Sequence, residues 1–291
     1  MLLLDSCKKN SSELPVQKVP VNVTNLDPVV NPLTAHILSD YSFTDTALIN
    51  KGWTKTFEDN FDSDLSNWNV WVGGGLQKEL QCYQASNLQI VNGVLQISAK
   101  SETVTGPISR GNDTTKTFNF TSGAIESKNT ISVNASTPRV RIVARIKISR
   151  GYGLATALWS FGDNWPQQGE IDYLESSGDE PTTYFTDYFY GAQVNQNVVS
   201  GAYEVNHTDG DLSAGFHIYE MEWSQNALTS YLDGKLVETK TAGGHVPDLY
   251  GKTERIYLNL SVGGLLYATL NSNDVVPGTL YVDYIKVFTS K

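Results

Sequence analysis

Three acidic residues stand close together in the middle of the chain. Glu170, Asp172 and Glu175 fall within Gly-Glu-Ile-Asp-Tyr-Leu-Glu, and the apolar residues between them argue against a solvated acidic run. Side chains alternate between the two faces of a β-strand, so Glu170 and Asp172 share one face. Strict alternation would place Glu175 on the other face. One extra residue, a β-bulge at Tyr173 or Leu174, returns Glu175 to the face of Glu170, and bulges often lie beside active sites.

Carboxyl groups in this pattern favour hydrolysis of a glycosidic bond. A retaining glycosidase uses two carboxyl groups about 5–5.5 Å apart, one as nucleophile and one as general acid/base. The two glutamates can lean toward each other to reach such a gap. Asp172 between them can hydrogen-bond a neighbour, so that one glutamate stays ionised and the other protonated. The spacing alone leaves two alternatives open, a polar strand face without chemistry and a hard-cation site.

The segment around these acids resembles a known active-site strand. Trp165-Pro-Gln-Gln-Gly-Glu-Ile-Asp-Tyr-Leu-Glu175 is similar to that strand in glycoside hydrolase family 16, in the bulged form with two residues between Asp and the second Glu. The family includes laminarinases, other β-glucanases, agarases, porphyranases and carrageenases. The resemblance extends over roughly residues 53–288. It implies that Glu170 is the nucleophile, Asp172 its helper and Glu175 the general acid/base.

The resemblance also indicates residues that border a substrate cleft. Trp165 and Trp159 can stack on the apolar faces of sugars, although core packing is an equal alternative for Trp159. Glu79 and Gln81 lie in a stretch that resembles the Asn-Asn-Glu-x-Gln-Tyr-Tyr border of glucan-cleaving members. Phe189 stands where many members carry a histidine. We therefore expect these five residues to contact the substrate.

Several positions differ from the glucan-cleaving members. At these positions many glucanases carry Asn, Asn, Trp, His and Trp, whereas this chain carries Gln77, Lys78, Ala155, Phe189 and Leu266. The differences keep a second substrate class open on the same scaffold, namely a β-galactan, an agar-type polymer or a host glycan.

Short alternating runs with turn signals predict an all-β fold. The run from residue 87 to 99 alternates around Asn92-Gly93, and Asp233-Gly234 marks a second hairpin, because such pairs favour two-residue turns. These features predict an antiparallel β-sandwich. The resemblance narrows it to a concanavalin A-like jelly roll with a concave substrate cleft.

The composition limits the partners. A formal net charge of -10 argues against binding to nucleic acid or anionic membranes, and mildly against a strongly anionic polysaccharide. No segment is long and apolar enough to span a bilayer. We expect a polysaccharide substrate and a monomeric protein.

The resemblance further implies a structural calcium ion on the convex side. In the family, an aspartate of the closing strand, an acid of the opening strand and a backbone carbonyl at a hairpin glycine bind it. Asp283 and Gly93 match this pattern, whereas Asn60 replaces the acid and is a weaker ligand. No cofactor is expected for catalysis.

The first 45 residues are predicted to precede the catalytic domain. A short apolar run before Cys7 resembles the end of a bacterial lipoprotein signal, in which that cysteine is lipidated. The alternative is a start-site or cloning remnant. Residues 10–32 have the composition of a flexible tether.

We expect a truncated signal and tether over 1–45 and a catalytic domain over 46–291. The protein would be extracytoplasmic, as a surface or periplasmic lipoprotein or secreted, with membrane contact only through Cys7.

Together these features predict a retaining endo-glycoside hydrolase that acts on a β-linked polysaccharide by double displacement. The favoured substrate is a β-1,3-glucan or a mixed β-1,3/1,4-glucan. One alternative is the galactan, agar-type or host-glycan hydrolase. The other is a non-catalytic carbohydrate-binding jelly roll, against which the intact carboxylate trio speaks, since mere binding does not need these mutually repelling groups.

Overall fold

The computed structural model describes residues 41–76, 78–196, 198–208, 210–241, 243–267 and 269–291. The predicted tether up to residue 40, with Cys7, and Gln77 lie outside them.

One α-helix, α1, is found within the described residues and spans Asp45–Ile49. Short 3₁₀ turns span Ala85–Asn87, Val246–Leu249, Leu265–Tyr267 and Ser272–Asp274. In chain order the strands are β1 (Trp53–Asp59), β2 (Trp68–Val70), β3 (Gly73–Gly74), β4 (Gln81–Tyr83), β5 (Leu88–Val91), β6 (Val94–Pro107), β7 (Thr115–Ser122), β8 (Ala124–Ile131), β9 (Arg139–Lys147), β10 (Leu154–Phe161), β11 (Glu170–Ser177), β12 (Thr183–Tyr190), β13 (Val199–Ser200), β14 (Tyr203–Asn206), β15 (His217–Ser224), β16 (Ala227–Leu232), β17 (Lys235–Thr241), β18 (Glu254–Val262) and β19 (Gly278–Ser290).

The strands form two sheets. The larger sheet has the order β17-β16-β15-β9-β19-β6-β7-β4-β3, with β1 paired to β19 and β5 to β6. The smaller sheet has the order β13-β12-β11-β10-β18-β8-β2, with β14 paired to β12. Strand pairing is antiparallel in both sheets except between β4 and β7. The predicted antiparallel β-sandwich is confirmed.

The hydrophobic core lies between the sheets. Leu158, Ile171 and Leu258 of the smaller sheet and Ile142 and Trp223 of the larger sheet are at most 1% exposed and belong to one apolar cluster. Because side chains alternate along a strand, the neighbours of these residues in the smaller sheet face away from the core. That outer face is therefore available for a substrate cleft.

The two hairpin turns predicted from the sequence are present. Asn92 and Gly93 have φ angles of 53° and 75° between β5 and β6. Asp233 and Gly234 have φ angles of 49° and 72° between β16 and β17. Two consecutive positive φ angles are typical of the type I′ turn that joins twisted strands.

Helix α1 packs on the larger sheet. Leu48 is buried with Trp53 and Phe288, and the ring of Phe43 lies 5.8 Å from that of Phe288. The packed domain thus includes Phe43, just ahead of the predicted boundary at residue 46. With five residues, α1 is far shorter than a bilayer-spanning helix, and no longer helix occurs in the described part of the chain.

Candidate active site

A bulge interrupts strand β11 where the sequence predicts it. Two residues of β11 separate Asp172 from Glu175, whereas one residue of β12 separates their partners Asp187 and Phe185. The pairing of β11 with β10 is shifted at the same place. The bulge reverses the alternation of side chains, so Glu175 returns to the face of Asp172.

The three acids therefore line one cleft on the outer face of the smaller sheet. The cleft has a volume of about 150 Å³, and Glu170, Asp172 and Glu175 all contribute to its walls. The two glutamates are partly exposed, whereas Asp172 is 2% exposed. Ile171 points the other way, into the core. The structure thus brings the predicted acids together, and their individual catalytic roles stay a prediction.

Trp165 holds the first of these carboxylates. Its indole Nε1 donates a hydrogen bond to Oε2 of Glu170. Phe189 lies opposite Glu170 in the pairing of β11 with β12, and its ring centroid is 6.3 Å from that of Trp165. Phe189 also lines the cleft. Glu170 is thus positioned by an indole donor and lies next to Phe189, whereas Trp165 itself is not among the residues that line the cleft.

Trp159 belongs to a cluster of packed aromatic rings. It is 8% exposed, lies parallel to Phe161 with a centroid distance of 4.8 Å, and contacts Tyr257 at 4.9 Å. Its Nε1 donates to Oδ1 of Asn259 at 2.8 Å. Trp159 still lines the cleft, so both the packing and the substrate-contact interpretations of this residue find support.

Glu79 adds another carboxyl group to the cleft wall. Its Oε2 accepts hydrogen bonds from Gln81 Nε2 at 2.6 Å, the Leu76 amide at 3.0 Å and the Tyr83 hydroxyl at 3.2 Å. Burial raises the pKa of Glu79, these three donors oppose the rise, and the negative charge of Glu175 adds to it. Glu79 therefore keeps its proton at pH values above the ordinary pKa of a glutamate.

Gln81 lies behind the cleft wall. It is fully buried, its Oε1 accepts from the Val262 amide at 2.8 Å, and its Nε2 donates to Glu79. A sugar could not reach it without breaking these bonds. Gln81 thus supports Glu79 from behind the cleft wall, and its expected contact with substrate stays a prediction.

Two features of the cleft were missed in the sequence. Asp187 is fully buried directly opposite Asp172 and accepts hydrogen bonds from Ser200 Oγ and the Gly201 amide. Only the strand register reveals this neighbour. The second feature is an aliphatic wall, which consists of Leu76, Ala155, Leu265 and Leu266. Of these four residues, Ala155 and Leu266 are identified from the sequence only as departures from the family pattern.

The residues proposed for calcium are arranged differently from a carboxylate-rich cation site. Asp283 Oδ2 accepts a hydrogen bond from Arg145 Nη1 at 2.7 Å. Asn60 is exposed, and Gly93 occupies the hairpin turn described above. A calcium ion at Asp283 would have to compete with a guanidinium group, so this donor set does not fit the ion well.

One family model matches most of this chain. The model for glycosyl hydrolases family 16 covers residues 76–286. A curated relative, glucan endo-1,3-beta-glucosidase A1 of Niallia circulans, is 28% identical over 268 residues, which is 81% of this chain and 38% of the relative. The chain spans about a third of the length of the first curated relatives that it matches, from 34% to 38%.

Solved structures show the same fold. An endo-beta-1,3-glucanase from Pyrococcus furiosus superimposes with a TM-score of 0.69 at 28% identity, over 82% of this chain and 95% of that one. The catalytic domain of a laminarinase from Thermotoga maritima gives 0.68 at 25% identity, over 82% of this chain and 99% of that one. These likenesses confirm the predicted jelly roll.

Proposed function

Because this chain belongs to glycosyl hydrolases family 16, we propose that it is a retaining endo-glycosidase whose preferred substrate is a β-1,3-glucan. The observation that supports this most directly is the bulged strand that aims Glu170, Asp172 and Glu175 into one cleft. The names of its relatives support the choice of glucan, since they describe a glucan endo-1,3-beta-glucosidase, an endo-beta-1,3-glucanase and a laminarinase.

The proposed reaction proceeds in two displacements at the anomeric carbon. Glu170 attacks this carbon and forms a covalent glycosyl-enzyme, while Glu175 gives its proton to the departing glycosidic oxygen. Glu175 then takes a proton from water, whose oxygen attacks the same carbon and releases Glu170. The net result is hydrolysis with retention of the β configuration.

The surrounding residues divide the remaining tasks. The hydrogen bond from Trp165 fixes the orientation of the Glu170 carboxylate in the cleft. Asp172 lies on the same face as the two glutamates and serves as the helper of the pair. The stacked rings of Trp159 and Phe161 offer an apolar surface for a pyranose ring.

We extend the proposal to where the protein acts. A polysaccharide is too large to cross a membrane, so an extracytoplasmic enzyme, held by a lipid on Cys7 or secreted, would meet it. Cys7 lies outside the described residues. Expression of the chain behind an intact bacterial lipoprotein leader, with Cys7→Ala as the comparison, tests this. If the wild type stays in the membrane fraction and Cys7→Ala does not, the result supports the lipid anchor. If both proteins partition equally between the membrane and soluble fractions, the result argues against the anchor.

Product analysis by mass spectrometry tests the main proposal. We expect the wild type to release a ladder of short glucose oligomers from a β-1,3-glucan, and Glu170→Ala to release none while it melts at a similar temperature. Products from a β-galactan, an agar-type polymer or a host glycan, without any from glucan, would move the substrate to the second class. Binding to the glucan with no products from any polymer would favour the carbohydrate-binding alternative.

A further inference from the structure

A buried acid lies on the core side of the catalytic strand. Glu254 is the first residue of β18 and is 1% exposed. Its Oε2 accepts a hydrogen bond from the Ser160 hydroxyl of β10. The same hydroxyl is hydrogen-bonded to the phenol of Tyr173 in β11. A continuous chain of hydrogen-bonded side chains therefore links β18, β10 and β11 within the protein interior.

Glu254 also touches the backbone that leads into Glu170. Gly169 precedes Glu170 and has a φ angle of +86°. A Cβ atom built on Gly169 would lie 2.9 Å from Oε1 of Glu254 and 2.6 Å from Leu249. Position 169 thus requires glycine for two reasons, its left-handed backbone and this close approach. The carboxyl group of Glu254 forms part of the surface on which the start of β11 rests.

The surroundings of Glu254 disfavour a negative charge. Burial raises its pKa well above the ordinary range, the Ser160 hydroxyl opposes the rise, and the nearby Glu170 carboxylate adds to it. Oε1 has no hydrogen-bond partner among the described residues. An unpaired buried charge would be costly there, whereas a neutral carboxylic acid is far cheaper to bury. Tyr173 is also held neutral, since burial foremost raises the pKa of its phenol.

We propose that Glu254, as a neutral carboxylic acid, is a positioning residue that holds Gly169 and Glu170 in place from the core side of the sheet. The inference rests on the proposed role of Glu170 as nucleophile. Glu254 does not touch the sugar. It fixes β11 against β10 and β18 through Ser160 and Tyr173, and a shift of about 1 Å in a nucleophile can cost roughly a hundredfold in rate.

Two substitutions at Glu254 separate positioning from mere packing. Glu254→Gln keeps the shape, the neutrality and an oxygen for Ser160, so we expect kcat on β-1,3-glucan to stay within about threefold of the wild type. Glu254→Ala removes the support, and we expect kcat to fall at least about tenfold while KM changes less than about twofold, because the substrate contacts are untouched.

A second buried acid provides the matched control. Glu220 in β15 is 3% exposed, pairs with Arg141 at 2.9 Å and also has a pKa raised by burial. Glu220→Gln should lower the melting temperature without a selective loss of kcat. Should Glu254→Ala fail to fold, Tyr173→Phe removes only the far end of the polar chain and should still lower kcat more than KM.

The inference is overturned if Glu254→Ala folds and has the kcat of the wild type. If Glu254→Ala does not fold, a folded Tyr173→Phe with the kcat of the wild type overturns it instead. A Glu254→Gln variant as slow as Glu254→Ala would also overturn it, because neutrality and shape would then not suffice. Wild-type protein that cleaves no β-linked polymer would instead contradict the proposed function. The two failures are therefore distinguishable.

Discussion

The indole Nε1 of Trp165 donates a hydrogen bond to Oε2 of Glu170, five residues further along the chain. The loop that carries Trp165 returns to β11 through Gly169, whose amide donates to the Pro166 carbonyl at 3.0 Å. The sugar-stacking candidate and the proposed nucleophile are thus one structural unit. A change in this ring should affect the chemical step as well as substrate affinity.

Replacement of Trp165 by phenylalanine tests this coupling. The variant keeps a ring but loses the donor, and a hydrogen bond to a charged group contributes about 1.5–3 kcal/mol. We expect kcat/KM on β-1,3-glucan to fall roughly ten- to hundredfold. Trp223→Phe is the matched control, because the Trp223 Nε1 is buried and makes no hydrogen bond within the described residues. Equal losses in the two variants would argue against a specific role for the Trp165 donor.

Trp159 should matter more for stability than Trp165. Trp159 is 8% exposed and packs against Phe161 and Tyr257, so Trp159→Ala leaves a cavity and should cost about 3–5 kcal/mol in the free energy of unfolding. Urea denaturation measures this value. Trp165→Ala, at a partly exposed position, should cost clearly less. An unchanged unfolding free energy in Trp159→Ala, with a raised KM alone, would favour a purely substrate-binding role.

The raised pKa of Glu79 predicts that the stability of the folded protein depends on pH. The folded-state pKa of Glu79 is raised above the ordinary value of 4.5, so its protonated form is favoured by folding. The wild type therefore loses stability as the pH rises from 4.5 through the folded pKa. Glu79→Gln cannot ionise, and its amide oxygen can accept from the same donors. As the pH rises, we expect the melting temperature of Glu79→Gln to increase relative to the melting temperature of the wild type. A constant difference between pH 4 and pH 8 would contradict a raised pKa.

The pair of Arg145 and Asp283 predicts how the protein responds to calcium. The guanidinium already neutralises Asp283 and lies 4.6 Å from the centre of the Phe216 ring. We therefore expect the melting temperature of the wild type to be the same in calcium and in EDTA. Arg145→Met frees the carboxylate and should make any latent calcium site detectable as a calcium-dependent gain in melting temperature. A clear gain in the wild type would instead support the calcium site implied by the family resemblance.

Local features of this protein were predictable from the sequence. The two glycine turns and the bulge in β11 depend on residues adjacent in the chain, and the resemblance around Glu170 covers a continuous segment. Periodicity and turn chemistry act over such distances. For the same reason, the shared face of Glu170, Asp172 and Glu175 followed from their spacing together with one bulge.

Features that depend on strand pairing were not predictable. Gln81 was expected in the cleft but binds Val262, which is far away in sequence and adjacent only after folding. Asp187 is placed opposite Asp172 by the register of β12. Glu254 meets Ser160 across 94 positions of sequence. No local pattern reports such contacts, because the side-chain period of a strand says which face a residue occupies and not which residue lies beside it.

The anomeric configuration of the first product tests the central claim most directly. Hydrolysis of a β-1,3-glucan by the wild type can be followed by proton NMR before the product mutarotates. Double displacement by Glu170 and Glu175 predicts that the β anomer appears first and the α anomer only later. An initial α product would show a single displacement and would contradict the assignment of Glu170 as the nucleophile.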